Sequence, residues 1–280
     1  MTKAPLLTDR KALTRARARA LRGAPALFFH DEAAAEIKER LIEVNRRFTA
    51  PAVVTGFPDL WAASFPEARV VADDETLDLA EGAHDLVIHA MALHWANDPV
   101  GQIVQCRRAL RPDGLFIAVL FGGQTLAELR ATLAEAEAAL TGGLSPRILP
   151  MGEIRDWGGL LQRAGLALPV ADASLRKVSY RNAFHLMADL RAMGEANALA
   201  ARRRTPARRG VFVDAARRYA AAFSEAGDRV LASFELIYLT GWAPHDSQQQ
   251  PLRPGTARYR LADALSGATL TPAPMPGSDN

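Results

Sequence analysis

The chain has 280 residues, 49% hydrophobic and 23% charged, with a formal net charge of +3 at pH 7. This is the balance of a globular protein with one large core and room for an insert. Its single cysteine, Cys106, excludes an internal disulfide and fits a cytosolic setting. No apolar run reaches the 18 or so residues of a membrane-spanning helix, and the Arg-rich, acid-poor N-terminus lacks the apolar core of a secretion signal. The positive charge is arginine, gathered in "RKALTRARARALR" (10–22) and "ARRRTPARR" (201–209). Such runs suit a solvated helical face, or contact with phosphate or an acidic partner.

In chain order, the spacing predicts a helix over 31–48, with Ile37, Leu41 and Val44 on one face and Asp31 as its cap. A buried strand at 52–55 runs into a turn at Thr55-Gly56. Two helical turns fit 59–65, and "ARVVADD" (68–74) reads as a second strand ending in acids. "HDLVIHAM" (84–91) is a buried strand, followed by the loop "LHWANDP". There Asp98 is placed to cap a helix over 99–110 that opens on Pro99 and carries Cys106 in its core face. "RPDG" turns the chain into a strand at 115–121. "TLAELRATLAEAEAAL" (125–140) opens with a capping box, Thr125 with Glu128, and ends at Gly142-Gly143. A helix at about 152–164 stops near Gly165. Strands at about 167–172 and 231–240 form a closing antiparallel pair around a helical insert, about 182–227. The organisation expected is therefore a basic helical segment (1–50), an α/β domain (51–243) and an extended, partly disordered tail (244–280) rich in Pro, Gly, Ser and Gln.

Alternating strands and helices imply a mostly parallel sheet covered on both faces, with ligands at the C-terminal strand ends. That places a site at Thr55–Pro58, Asp73–Glu75, Ala90–Asn97 and Phe121–Thr125. A glycine-rich phosphate loop is absent: Gly56 is the sole glycine of its turn, and Pro58 has no N–H to offer. Asp73 and Asp74, 17 and 18 residues past Gly56, stand by counting where an acid binds ribose hydroxyls. Trp95 has the shape to stack on a base or wall a cleft. His94 is the candidate general base, though a structural hydrogen bond would equally explain it. His89 and His94 lack a Cys or carboxylate to complete a metal set, so no metal is expected.

The run "DLVIHAMALHWANDPVGQIVQCRRALRPDGLFIAVLFGGQTLAELR" (85–130) resembles S-adenosylmethionine (SAM)-dependent methyltransferases of the Rossmann-like class. Together with "GGLSPRILP" (142–150), "LLQRAGL" (160–166), "FHLMADLRAMGEAN" (184–197) and "GWAPHDSQ" (241–248), it is most similar to the mitochondrial complex I assembly factor 5 family and its bacterial relatives. A more distant similarity is to the malonyl-carrier-protein O-methyltransferase of biotin synthesis. The resemblance implies the Rossmann-like methyltransferase fold with an antiparallel closing strand. It also implies the cofactor SAM and a role like that of the mitochondrial member, an arginine hydroxylase acting on an iron–sulfur subunit of complex I. In that family strand one carries an acid and a GxGxG loop, and here "AVVTGFPDLW" has neither. "VVADDETLDL" resembles the family segment after strand three, which implies that strand two and its helix are missing. The strand at 68–72 then pairs directly with strand one and brings Asp73 or Asp74 near the ribose position.

The expected cofactor residues are Gly56, Asp73, Asp74, Ala90 and Trp95, and the expected substrate or partner residues are Arg147, Glu195, Asn197 and His245. Three functions stay open. The first is a SAM-dependent enzyme acting on a protein, the second a non-catalytic assembly protein on the same scaffold, and the third a carboxyl O-methyltransferase. The expected partner is a protein, a complex I subunit by resemblance, rather than nucleic acid. The expected location is the bacterial cytoplasm, with a peripheral place at the inner membrane as the alternative.

Overall fold

The apolar runs assemble into one twisted sheet with helices against both faces, as buried parallel strands require. A computed structural model describes residues 6–249. The strands are β1 (Pro51–Thr55), β2 (Arg69–Ala72), β3 (His84–Ala90), β4 (Leu110–Phe121), β5 (Ala167–Tyr180), β6 (Ser224–Glu225) and β7 (Arg229–Trp242). Their order is β2-β1-β3-β4-β7-β5, with short β6 on the start of β7. The pairs from β2 to β4 are parallel, and β7 runs antiparallel between β4 and β5. This is the expected Rossmann-like sheet with its antiparallel closing strand. As expected, β2 lies directly against β1, Val53 opposite Val70.

The helices are α1 (Arg10–Leu21), α2 (Phe28–Val44), α3 (Pro58–Ser64), α4 (Pro99–Ala109), α5 (Ala127–Thr141), α6 (Ile154–Arg163), α7 (Ala183–Ala192) and α8 (Arg209–Ala222). Side chains alternate across the strands and split the core in two. Leu115, Ile117, Val119 and Phe121 of β4 meet Phe29 and Ile37 of α2, Trp61 of α3, Leu129 of α5, Leu186 of α7 and Tyr219 of α8. Phe116, Ala118 and Leu120 meet Ile103 and Cys106 of α4 and Trp157 and Leu161 of α6 on the other face. The Cys106 thiol is fully buried, and burial pushes its pKa up, as for an inert core thiol.

Three local expectations are corrected. The second helix starts at Phe28 rather than Asp31, because Phe29 and His30 are drawn into the core, and it ends at Asn45 in the left-handed region. Thr125 and Glu128 do not cap α5. Thr125 Oγ1 accepts the Glu235 N–H at 3.0 Å, and Glu128 accepts the Ser233 N–H at 3.2 Å, so the pair ties the helix start to β7 instead. β4 begins at Leu110, five residues early, and absorbs "RPDG" in an irregularity with Asp113 at a φ of 62°. Asp98 does cap α4, accepting the Gly101 N–H at 2.8 Å, with Pro99 in the first turn.

The described residues divide into two units, one ending at Pro244 and one beginning at His245. Most of the expected tail lies outside the described residues. Among the described residues no helix is long and apolar enough to cross a membrane.

Candidate functional site

The C-terminal strand ends gather the expected residues into two neighbouring places. At the β2 end, the turn after β1 exposes Gly56, and β2 delivers Asp73. Both meet Arg17 of α1. Leu13, Ala16, Arg17 and Ala20 form the buried stripe of that helix, so its one inward arginine is carried to the sheet edge. An ideal Cβ on Gly56 would lie 2.2 Å from Arg17 Cζ and Nη1; the guanidinium rests on the bare glycine backbone. Arg17 Nη1 donates to Asp73 Oδ1 at 2.7 Å, and Arg10 Nη1 donates to Oδ2 at 3.2 Å. Burial would raise the Asp73 carboxyl, but the Arg17 and Arg10 charges hold it below the usual carboxylate range. The Phe57 N–H, next after the glycine, donates to Thr55 Oγ1 at 3.2 Å. Asp74 is exposed, 3.9 Å from Arg10 Nη2. Ala90 is buried at the end of β3, between Thr55 and Val119.

Two histidines flank this corner in neutral form. His89 Nε2–H donates to Gln102 Oε1 at 2.8 Å, and burial lowers the ring's pKa to about 4. His30 takes the Trp61 indole N–H on Nδ1 at 3.0 Å, and burial lowers it to about 4 as well.

The second place is a cavity of about 230 Å³ between the end of β4, α5, α7 and the segment before α6. Trp95, Arg147, Glu195 and Asn197 line it, against apolar walls that include Leu133 and Phe234. The tight 3-10 turn Leu93–Trp95 aims Trp95 Nε1 at Glu195 Oε2, 2.8 Å away. His94 Nε2 stands 3.5 Å from the same oxygen, and its ring meets Phe121 edge-on at 5.3 Å. Burial would raise the Glu195 carboxyl, yet His94, Arg17 and the Trp95 N–H keep it below its ordinary value. Arg147 forks onto Glu137, which also takes the N–H and hydroxyl of Ser145. That arginine holds the Glu137 carboxyl down at about 2. Asn197 donates to the Pro146 carbonyl at 2.9 Å and so ties the 142–150 loop to the end of α7. His245 belongs to the second unit, where its Nδ1 is 2.7 Å from Ser247 Oγ. Among the described residues no group of His, Cys, Asp and Glu is placed to hold a metal ion.

Residues 20–118 match the methyltransferase domain family. The chain is 36% identical over 220 residues to the mitochondrial arginine-hydroxylase NDUFAF5 of Danio rerio, a match covering 79% of this chain and 68% of that one. The chain belongs to the NDUFAF5 family. It is also 36% identical over 179 residues to the malonyl-[acyl-carrier protein] O-methyltransferase of Xylella fastidiosa, covering 64% of this chain and 58% of that one. Other curated NDUFAF5 relatives are longer, and the chain spans as little as 45% of their length. A solved Bacillus halodurans protein described as a methyltransferase aligns with a TM-score of 0.47 at 14% identity, over 74% of this chain and 98% of that one.

Two residues that brace these places in this NDUFAF5-family chain escape a reading by motif. Arg17 hides in an arginine run, but its place beside Leu13, Ala16 and Ala20 on a 3.6-residue stripe is the signal that it points inward. Glu137 sits mid-helix with nothing local to mark it; only the fold brings it to Arg147.

Proposed function

We propose that this chain is a partner-binding member of the NDUFAF5 family. In this reading it receives a segment of a protein partner in the cavity walled by Trp95, Leu133, Arg147 and Glu195. The observation that supports this most is convergence: Trp95, Arg147, Glu195 and Asn197, all marked by the sequence, come from three separate segments and line one cavity. Its walls are apolar and its polar groups few and fixed, which suits a peptide side chain with an apolar body and a polar end. By family resemblance the partner is an iron–sulfur subunit of respiratory complex I, met in the cytoplasm or at the inner face of the membrane. The partner-binding reading needs no methyl transfer from SAM, while the methyltransferase-domain match and the malonyl-carrier-protein relative support the catalytic alternatives. A carboxyl O-methyltransferase reading gains no support from Arg147, whose guanidinium is already held by Glu137.

The test is binding of the purified full chain to that complex I subunit by interferometry. Wild type binds with a Kd of about 10 µM or tighter, and Ala196→Trp, which fills the cavity, weakens binding by at least about tenfold. Equal binding by the two proteins sinks the proposal, as does no binding by wild type at about 0.1 mM.

A further inference from the structure

The corner at Gly56 and Asp73 does not fit the donor that the family's fold implies. In such a corner a glycine leaves room for a ligand against the backbone, and an acid accepts ribose hydroxyls. Here the room over Gly56 holds the Arg17 guanidinium, whose side chain is only 8% exposed. Both Asp73 oxygens already accept charge-assisted N–H bonds. The Phe57 N–H is turned inward to Thr55, and Pro58 has none.

We propose that Arg17 is the resident occupant of this corner, a guanidinium that took over the carboxylate and the glycine platform in place of a nucleoside donor. The substitution is chemically like for like: a cation with N–H donors meets the acid that would otherwise meet hydroxyl donors. The rest of α1 is fastened so that this contact persists. Asp9 donates its N–H to the Ala198 carbonyl at 2.8 Å, Thr8 pairs with Asn97 at 2.8 Å, and Arg202 reaches Asp9 at 2.9 Å. Arg17 also lies over the Phe57 ring at 5.9 Å and against Gly194, where φ is 79° and a Cβ would meet Arg17 Cγ at 3.2 Å. The occupant thus joins β1, β2 and the end of α7, three parts that a bound ligand would otherwise join.

The experiment titrates the full chain with S-adenosylmethionine and S-adenosylhomocysteine, by calorimetry and by thermal melting. Wild type shows no saturable heat and no Tm shift up to about 2 mM ligand; a Kd below about 0.1 mM overturns the proposal. Arg17→Ala lowers Tm by roughly 6–15 °C. In that variant ethylguanidinium at about 10 mM restores roughly 2–4 °C, while wild type is unmoved. An Arg17→Ala protein as stable as wild type, or an equal ethylguanidinium response in both, overturns it. Should Arg17→Ala fail to fold, the wild-type titrations decide alone. Partner binding in the interferometry above is measured without these ligands, so one result can fail while the other stands.

Discussion

The two places at the strand ends are neighbours with opposite characters. The corner at Gly56 and Asp73 is polar, buried and closed by ion pairs within the chain. The cavity at Trp95 and Glu195 is apolar and open, its carboxylate and guanidinium braced by local partners. The contrast teaches that a buried polar corner and an apolar cleft are held by different means. A buried charge has to be neutralised from inside, because an unpaired buried carboxylate costs several kcal/mol. An apolar cleft needs no replacement partner.

The sharpest way to break the comparison is Asp73→Leu. It leaves Arg17 buried without a counter-ion, and unfolding free energy should fall by about 3–5 kcal/mol in a guanidinium melt. Adding Arg17→Met should recover part of that loss, since an apolar pair of similar size replaces a buried ion pair at little net cost. A loss under about 1 kcal/mol for Asp73→Leu would mean the corner is not closed by charge.

Acid is the next probe. His30 and His89 are held near pKa 4, below the ordinary value of 6.5, so between these values the unfolded chain binds more protons than the folded one. Their contribution is complete above pH 6.5 and is lost as pH falls toward 4, at up to about 1.4 kcal/mol per pH unit for each ring. Asp73 and Glu195, held low, add a further loss only as pH falls below about 4. Urea midpoints from pH 8 to 4 read this slope, and His89→Gln should flatten it. A flat profile in wild type would show the corner histidines to be charged in the fold.

On the open side the effects are smaller. Leu133→Ala should cost about 2 kcal/mol, the low end for a core leucine, because the side chain already borders a space. Arg147→Lys should cost about 1 kcal/mol, since a point charge replaces a two-pronged contact with Glu137. A larger loss from Arg147→Lys than from Asp73→Leu would invert the comparison.

The strands, and the helices flanked by local signals, were legible. Val53, Val54 and the run 86–88 are continuous apolar segments, and Asp98 with Pro99 is a helix start whose whole chemistry lies within four residues. Direct pairing of β2 with β1 followed from the missing stretch between them. Signals failed where a local motif had a better distant use. Thr125 and Glu128 have capping-box spacing, but both turn to β7 at Ser233 and Glu235. The cavity residues could be named singly, because "GGLSPRILP" and "MGEAN" stood out as strings, whereas their convergence depends on the tertiary fold. The closing of the corner was the least legible part: Arg17 and Asp73 are 56 residues apart, and no periodicity pairs a cation with an acid at that distance.

The fastening of α1 bears on how the polypeptide acquires its shape during synthesis. Arg202 and Asp9 are separated by 193 residues, and the Asp9 amide waits on the carbonyl of Ala198. The helix made ahead of every other described element is therefore seated only after α7 has emerged. Until then its inward arginine has only Gly56, Phe57 and Asp73 to hold it, a long-range closure of the kind that slows folding and leaves apolar strand ends uncovered in the interval.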